Sequence, residues 1–186
     1  MPATIRRVSS PQALSEADRR IVAVWAADCA ARVLTLFEAE APDDERPRRA
    51  IARARAFARG ELRTAEAIRV RFAGGGAARG VGPAAAAAAR AAGQAAAVAH
   101  MGAHALGAAA YAARATGLAA SGRPDALAAE IRWQLDHLSP DVGDALRLLP
   151  GAGENRAGPL GPGLLASGSL GAIVRELQAG IADALS

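Results

Sequence analysis

From Pro83 to Thr116 the chain is written mainly in alanine and glycine, and Ala84 to Ala89 is an unbroken run of one residue type. Alanine loses no side-chain entropy in a helix and is the best helix former. It offers a pleated strand little to pack. Across the whole chain alanine supplies roughly a quarter of the residues, aromatics 3%, and apolar residues together 52%. With β-branched and aromatic side chains this scarce, an all-β fold is excluded. The expected class is all-α: a compact multi-helix bundle with an alanine-rich central helix pair. The 186 residues suffice for one core.

Periodicity and punctuation place the helices. The first runs from Ser15, a natural N-cap, to Glu40, with Ile21, Trp25, Cys29, Val33 and Leu36 as its apolar stripe. Pro42-Asp43-Asp44 ends it, and Asp44 is read as the cap of a second helix with Ile51, Ala54, Phe57 and Ala58 inward and Gly60 as its stop. Thr64 caps a third, with Ala67, Ile68 and Phe72 inward, and Gly74-Gly75-Gly76 closes it. The alanine-rich centre reads as two helices, Ala84 to Ala99 and Ala103 to Thr116, broken near Gly102. Small side chains let such helices approach closely. Asp125 opens a helix to Leu138 with Leu127, Ile131, Leu135 and Leu138 in a row, and Pro140 ends it. The expected organisation is a tail over 1–14, a helical domain over 15–145, a Gly/Pro-rich linker over 146–168 and an amphipathic helix over 169–186. In that last helix Leu170, Ile173, Val174, Leu177, Ile181 and Leu185 form one stripe, which must bury itself on the same domain or on a partner.

All 22 basic residues are Arg against 18 acidic ones, a net charge of +4. Exclusive use of Arg beside abundant Ala, Gly and Pro is better explained by G- and C-rich coding than by selection for phosphate contact. Nine arginines lie between Arg46 and Arg71, but Arg48, Arg55 and Arg59 share one helix face while Arg49 and Arg53 point elsewhere. That pattern reads as a solvated face rather than a nucleic-acid footprint. No apolar core follows the basic N-terminus, so no secretory signal is read and the expected location is cytoplasmic. The uncharged stretch Ala91 to Ala113 is too alanine-rich, and carries His100 and His104, to make a credible membrane span.

Few constellations suggest chemistry. His100-x-x-x-His104 would place two imidazoles on one helical face, with Asp28, Glu130 or His137 as a third metal ligand. Gly102 between them argues against that geometry, and no Glu follows the first His as in zinc peptidases. A metal is therefore not expected, and no cofactor is assigned. Cys29, mid-helix with no activating base, reads as a buried apolar residue. Asp28 reads as a partner of Arg32 one turn on, or else as an inward carboxylate holding an imidazole of the central helices. Trp133, Gln134 and His137 share a face and line either a groove or the bundle interior. The glycine clusters are no phosphate loop, because no Lys exists and no strand precedes them.

Three stretches carry a resemblance. Trp25-Ala26-Ala27-Asp28-Cys29 leads to Phe37-Glu38 and Pro42-Asp43-Asp44-Glu45-Arg46-Pro47; Ala91-Ala92-Gly93-Gln94 leads to His104-Ala105-Leu106-Gly107; Glu130-Ile131-Arg132-Trp133-Gln134-Leu135-Asp136-His137-Leu138 completes the order. Over about Ile21 to Leu138 the chain resembles immunity proteins of bacterial polymorphic toxin systems that carry an Imm-five-like all-α domain. The resemblance implies a helical, non-enzymatic protein that protects its cell by binding a cognate toxin. The residues proposed for such a contact are Arg48, Arg55, Arg59, Trp133 and His137. The net basic charge implies an acidic toxin surface, or a contact made through Asp28 and Asp136.

Overall fold

The computed structural model describes residues 10–70 and 76–184, apart from the side chain of Val70. Eight α-helices lie among them: α1 Glu16–Glu38, α2 Arg46–Ala58, α3 Thr64–Val70, α4 Pro83–Ala97, α5 His104–Ala119, α6 Ala126–Asp136, α7 Pro140–Arg147 and α8 Gly168–Asp183. The chain is all-α, as its alanine content requires. Among the described residues no helix is long and apolar enough to cross a membrane. Phe72, Gly74, Gly75 and Leu185, read above as inward, loop or stripe positions, lie outside the described residues, as does the N-terminal segment 1–9.

The core is built around three helices. α4 and α5 pack along each other and both lie against α1, while α2 covers α1 and α4. Ala85, Ala88, Ala91 and Ala92 of α4 and Ala105, Ala108, Ala109 and Ala112 of α5 are all essentially inaccessible. Side chains this small fill little volume, so the larger apolar residues come from the surrounding helices. Trp25, Val33 and Phe37 of α1, Ile51 and Phe57 of α2 and Ile131 of α6 are buried in the same cluster.

Ser15 caps α1 as expected, whereas Asp125 holds the N-cap position of α6 without a side-chain hydrogen bond and Thr64 is itself the first residue of α3. Ser15 Oγ accepts the Asp18 N–H at 3.0 Å, and Glu16 and Asp18 sit in the positive first turn of α1. At α2 the expected cap moves by one residue. Glu45 occupies the N-cap position, while the Asp44 carboxylate accepts the Arg46 N–H from outside at 3.1 Å. α4 and α5 are separate helices, and the chain turns between them at 98–103, as Gly102 suggested. A Cβ at Gly102 would stand 2.4 Å from Leu14 Cδ1, so only glycine admits that contact.

Three features depart from the sequence reading. Pro140 does not only end α6; it opens α7 as a first-turn proline, capped by Ser139, whose Oγ accepts the Val142 N–H at 3.3 Å. The end of the 1–14 tail is packed. Gln12 is fully buried, its backbone carbonyl accepts the Ala103 N–H at 3.0 Å and that of Ala13 accepts the Gly102 N–H at 3.1 Å. The stretch 146–168 is not a free linker either. Gln12 Nε2 donates to the Ala157 carbonyl at 2.6 Å and Gln12 Oε1 accepts the Leu160 N–H at 2.8 Å. Gln178 of α8 does the same further along, accepting from Ala152 N–H at 3.0 Å and donating to the Pro150 carbonyl at 2.9 Å. Side-chain amides from distant positions thus satisfy backbone groups over 150–160, where the chain forms no helix.

The stripe of α8 is buried on its own chain. Leu170, Ile173, Val174, Leu177 and Ile181 all join the core, and α8 packs on α5, with further contacts to α6 and α7. Leu177→Ala should therefore lower the unfolding free energy by about 2–5 kcal/mol and keep a single urea transition. A separate early transition would show that α8 is not part of the cooperative unit.

Candidate functional site

A cleft of about 470 Å³ opens on the surface where α1, α2 and α6 contribute side chains. Trp25, Asp28, Ala31 and Arg32 come from α1, Arg55 from α2, and Trp133 and His137 from α6 and its C-cap. Asp28, Arg55, Trp133 and His137 were singled out by the sequence on separate grounds, and the fold brings them to one place. Arg48 and Arg59 do not line it. Arg48 pairs with Glu38 at 2.5 Å and Arg59 with Glu61 at 2.6 Å.

The cleft is anchored from beneath by a charge pair. Glu130 is only 4% exposed, and Arg32 reaches it with Nε at 3.0 and 3.1 Å from its two oxygens and Nη2 at 3.0 Å from Oε2. Such a forked pair fixes the plane of the guanidinium. Gln134, fully buried, donates from Nε2 to Glu130 Oε1 at 3.3 Å and to the Ala109 carbonyl at 3.1 Å. Trp25 Nε1 donates to the Gln134 carbonyl at 2.9 Å. α1, α5 and α6 are thereby joined through one polar network.

Above the pair, the Arg32 guanidinium carbon lies 3.7 Å from the Trp133 ring centroid. The His137 ring stacks on the same indole at 4.0 Å and 23°. Two planar groups that close to one ring cannot share a face, so Trp133 is held between them. His137 Nδ1 lies 2.7 Å from the Trp133 carbonyl. A carbonyl only accepts, so Nδ1 carries the proton and Nε2 is left as an acceptor in the neutral ring. The Asp28–Arg55 pair closes the cleft at 2.9 Å, with the two side chains 48% and 45% exposed.

These positions correct the reading of Asp28: it neither holds an imidazole nor pairs with Arg32, but reaches across to α2. The reason lies in Arg32, whose guanidinium is drawn to the buried Glu130. The two-histidine reading also changes. His100 sits exposed in the α4–α5 turn, and His104 opens α5, where its Nδ1 meets Gln94 Oε1 at 2.8 Å. The helical i, i+4 geometry required for a shared metal does not form, because the turn falls between them. Among the described residues no group of three or more His, Cys, Asp or Glu side chains is placed to hold a metal.

Electrostatics outside the cleft argue against an open cationic face. Arg46, Arg48, Arg49, Arg55, Arg59 and Arg63 of the Arg-rich stretch each pair with a carboxylate. The side-chain hydrogen bond from Arg46 holds Asp44 below the usual carboxylate range, and Arg59 and Arg63 do the same to Glu61 and Glu66. Cys29 is fully buried. Burial, reinforced by the charges of Glu130 and Asp28, pushes its thiol well up, the opposite of what a nucleophile needs.

A family model described as "Imm-5 like putative immunity protein" matches residues 12–141. The chain belongs to this family. The match begins at the buried Gln12 and takes in the whole cleft, and it stops at the start of α7. Comparison with curated proteins and with solved structures returned no match.

Three outcomes test this geometry. Arg32→Met should cost about 2–3 kcal/mol in urea unfolding, because it leaves the Glu130 carboxylate buried without its cation. Arg55→Met should cost less than about 1 kcal/mol, since both partners of that pair are half exposed. Cys29 should resist iodoacetamide in the native protein at mildly alkaline pH and become labelled, by mass, only as the chain unfolds.

Proposed function

We propose that this Imm-5 like protein acts as an immunity protein: a non-enzymatic binder in the bacterial cytoplasm that neutralises a toxin of a polymorphic system by direct contact through the Trp133 cleft. Family membership over residues 12–141 supports the class of function. The observation that supports the surface is the Trp133 indole, clamped between Arg32 and His137 at a partly exposed site.

Trp and Arg are the residues that most often dominate binding energy at protein interfaces. Here they are fixed before any partner arrives, by the Glu130 pair below and the histidine stack above. An ordered surface loses little side-chain freedom on association, so more of the contact energy appears as affinity. The cleft has no paired carboxylates and no activated thiol of the kind hydrolytic chemistry uses. It offers one carboxylate, two guanidinium groups and the imidazole acceptor beside an aromatic plane.

The partner surface that complements this cleft carries charges of both signs. That differs from the uniformly acidic toxin face implied by net charge alone, because Arg46, Arg48, Arg49 and Arg55 of α2 already have carboxylate partners. Co-expression with its cognate toxin should restore growth of a sensitive strain. His137→Ala and Trp133→Ala should weaken toxin binding about tenfold or more in surface plasmon resonance, as loss of a central aromatic does, while Arg59→Ala should bind as before. Failure of the unmodified protein to bind that toxin, or full binding by both cleft variants, would overturn the proposal.

A further inference from the structure

A second concavity lies on a different part of the molecule, where no sequence pattern marked a site. It measures about 520 Å³ and is formed where the end of α5, the turn into α6 and the start of α8 meet. Leu118, Leu127 and Ile173 give it apolar walls, and Arg114 and Arg123 stand among its lining residues. It shares no residue with the Trp133 cleft. Ser169 and Ile173, which line one part of it, lie beyond residues 12–141, so the C-terminal helix completes a site whose two arginines lie within the segment that the family model covers.

Its lining carries positive charge only. Among the described residues, Arg20, Arg32, Arg46, Arg48, Arg49, Arg55, Arg59, Arg63 and Arg147 pair with carboxylates. Neither guanidinium of this groove is among them. Arg114 donates only to a neutral group, Ser169 Oγ, at 3.3 Å, and Arg123 is exposed with no carboxylate partner among the described residues. No Asp or Glu lines the groove. Two uncompensated cations therefore flank an apolar trough, and Leu118, 45% exposed, leaves part of that trough in water.

We infer that this groove binds a small organic anion with an apolar body, its acid group held by Arg114 and Arg123 and its hydrocarbon laid against Leu118, Leu127 and Ile173. The volume falls in the range of small-ligand sites, which are mostly apolar with a few polar groups that set orientation. Guanidinium suits a carboxylate or sulfonate because its donors form a planar fork. Burying the hydrocarbon removes apolar surface from water on both sides, and the anion meets the charge the groove lacks. A neutral molecule of the same shape gains only the first of these.

Anilinonaphthalene sulfonate is a direct probe, since its fluorescence rises on entering an apolar site. Titration into the full chain should saturate at one equivalent. Arg123→Glu and Arg114→Gln should each weaken binding about tenfold or more, as expected when a charge-assisted contact is lost. Dodecanoate should displace the dye, and the uncharged N-phenylnaphthylamine should bind at least about tenfold more weakly. Arg123 is exposed, so its variant will fold, and circular dichroism verifies this for both. Equal dye binding by both variants, or equal binding of the uncharged analogue, would overturn the inference.

Discussion

The architecture depends on contact between two helices that have almost no side chains to offer. α4 and α5 meet mainly through alanines, whose small side chains let the two backbones come close. An alanine buries little apolar area, so such a pair contributes less transfer energy than a leucine seam of the same length. The difference is made up at the periphery, where Trp25, Phe37, Phe57, Ile131 and Leu177 pack inward onto the alanine centre. Close approach also leaves no slack. A Cβ at Gly107 would lie 2.3 Å from Gln94 Oε1 and 2.9 Å from Leu165 Cδ1, so α4, α5 and the C-terminal segment interlock at one glycine.

Polar groups then decide where the larger elements sit. Glu130 enters the core side of α6 accompanied by Arg32, and the pair is held by Gln134, itself bonded to the backbone of α5. Burying a carboxylate this way is costly unless every partner is in place. The same constraint fixes a surface: once Arg32 is committed to Glu130, its flat guanidinium becomes the lower jaw for Trp133, and His137 closes from the other side. The cleft assigned to toxin contact is thus the outer face of a core network, and its rigidity comes from below.

A second polar residue, Gln12, organises the other end of the molecule. It ties the start of the described chain to the α4–α5 turn and to the loop before α8. By holding that loop it lets α8 reach α5, and α8 in turn completes the groove that carries Arg114 and Arg123. Two surfaces of different chemistry result, a mixed-charge aromatic cleft and an apolar trough flanked by Arg114 and Arg123, both shaped by buried amide and carboxylate bonding as well as by the alanine core.

The sequence by itself determined the helical class, the break near Gly102, the Ser15 cap and the stripes of α1, α2 and α8, because these follow from propensity and from spacing within one element. It also marked Trp133, His137, Arg55 and Asp28 as residues of interest. It did not place them together, and it paired Asp28 with the wrong arginine, because the competition between Asp28 and Glu130 for Arg32 is settled across 98 residues of separation. The glycine- and proline-rich stretch before α8 read as a linker for a related reason. Its backbone is satisfied by Gln12 and Gln178, and hydrogen bonds from distant side chains leave no local pattern. Only tertiary packing could decide those partners, since each depends on which surfaces the helices had already brought within reach.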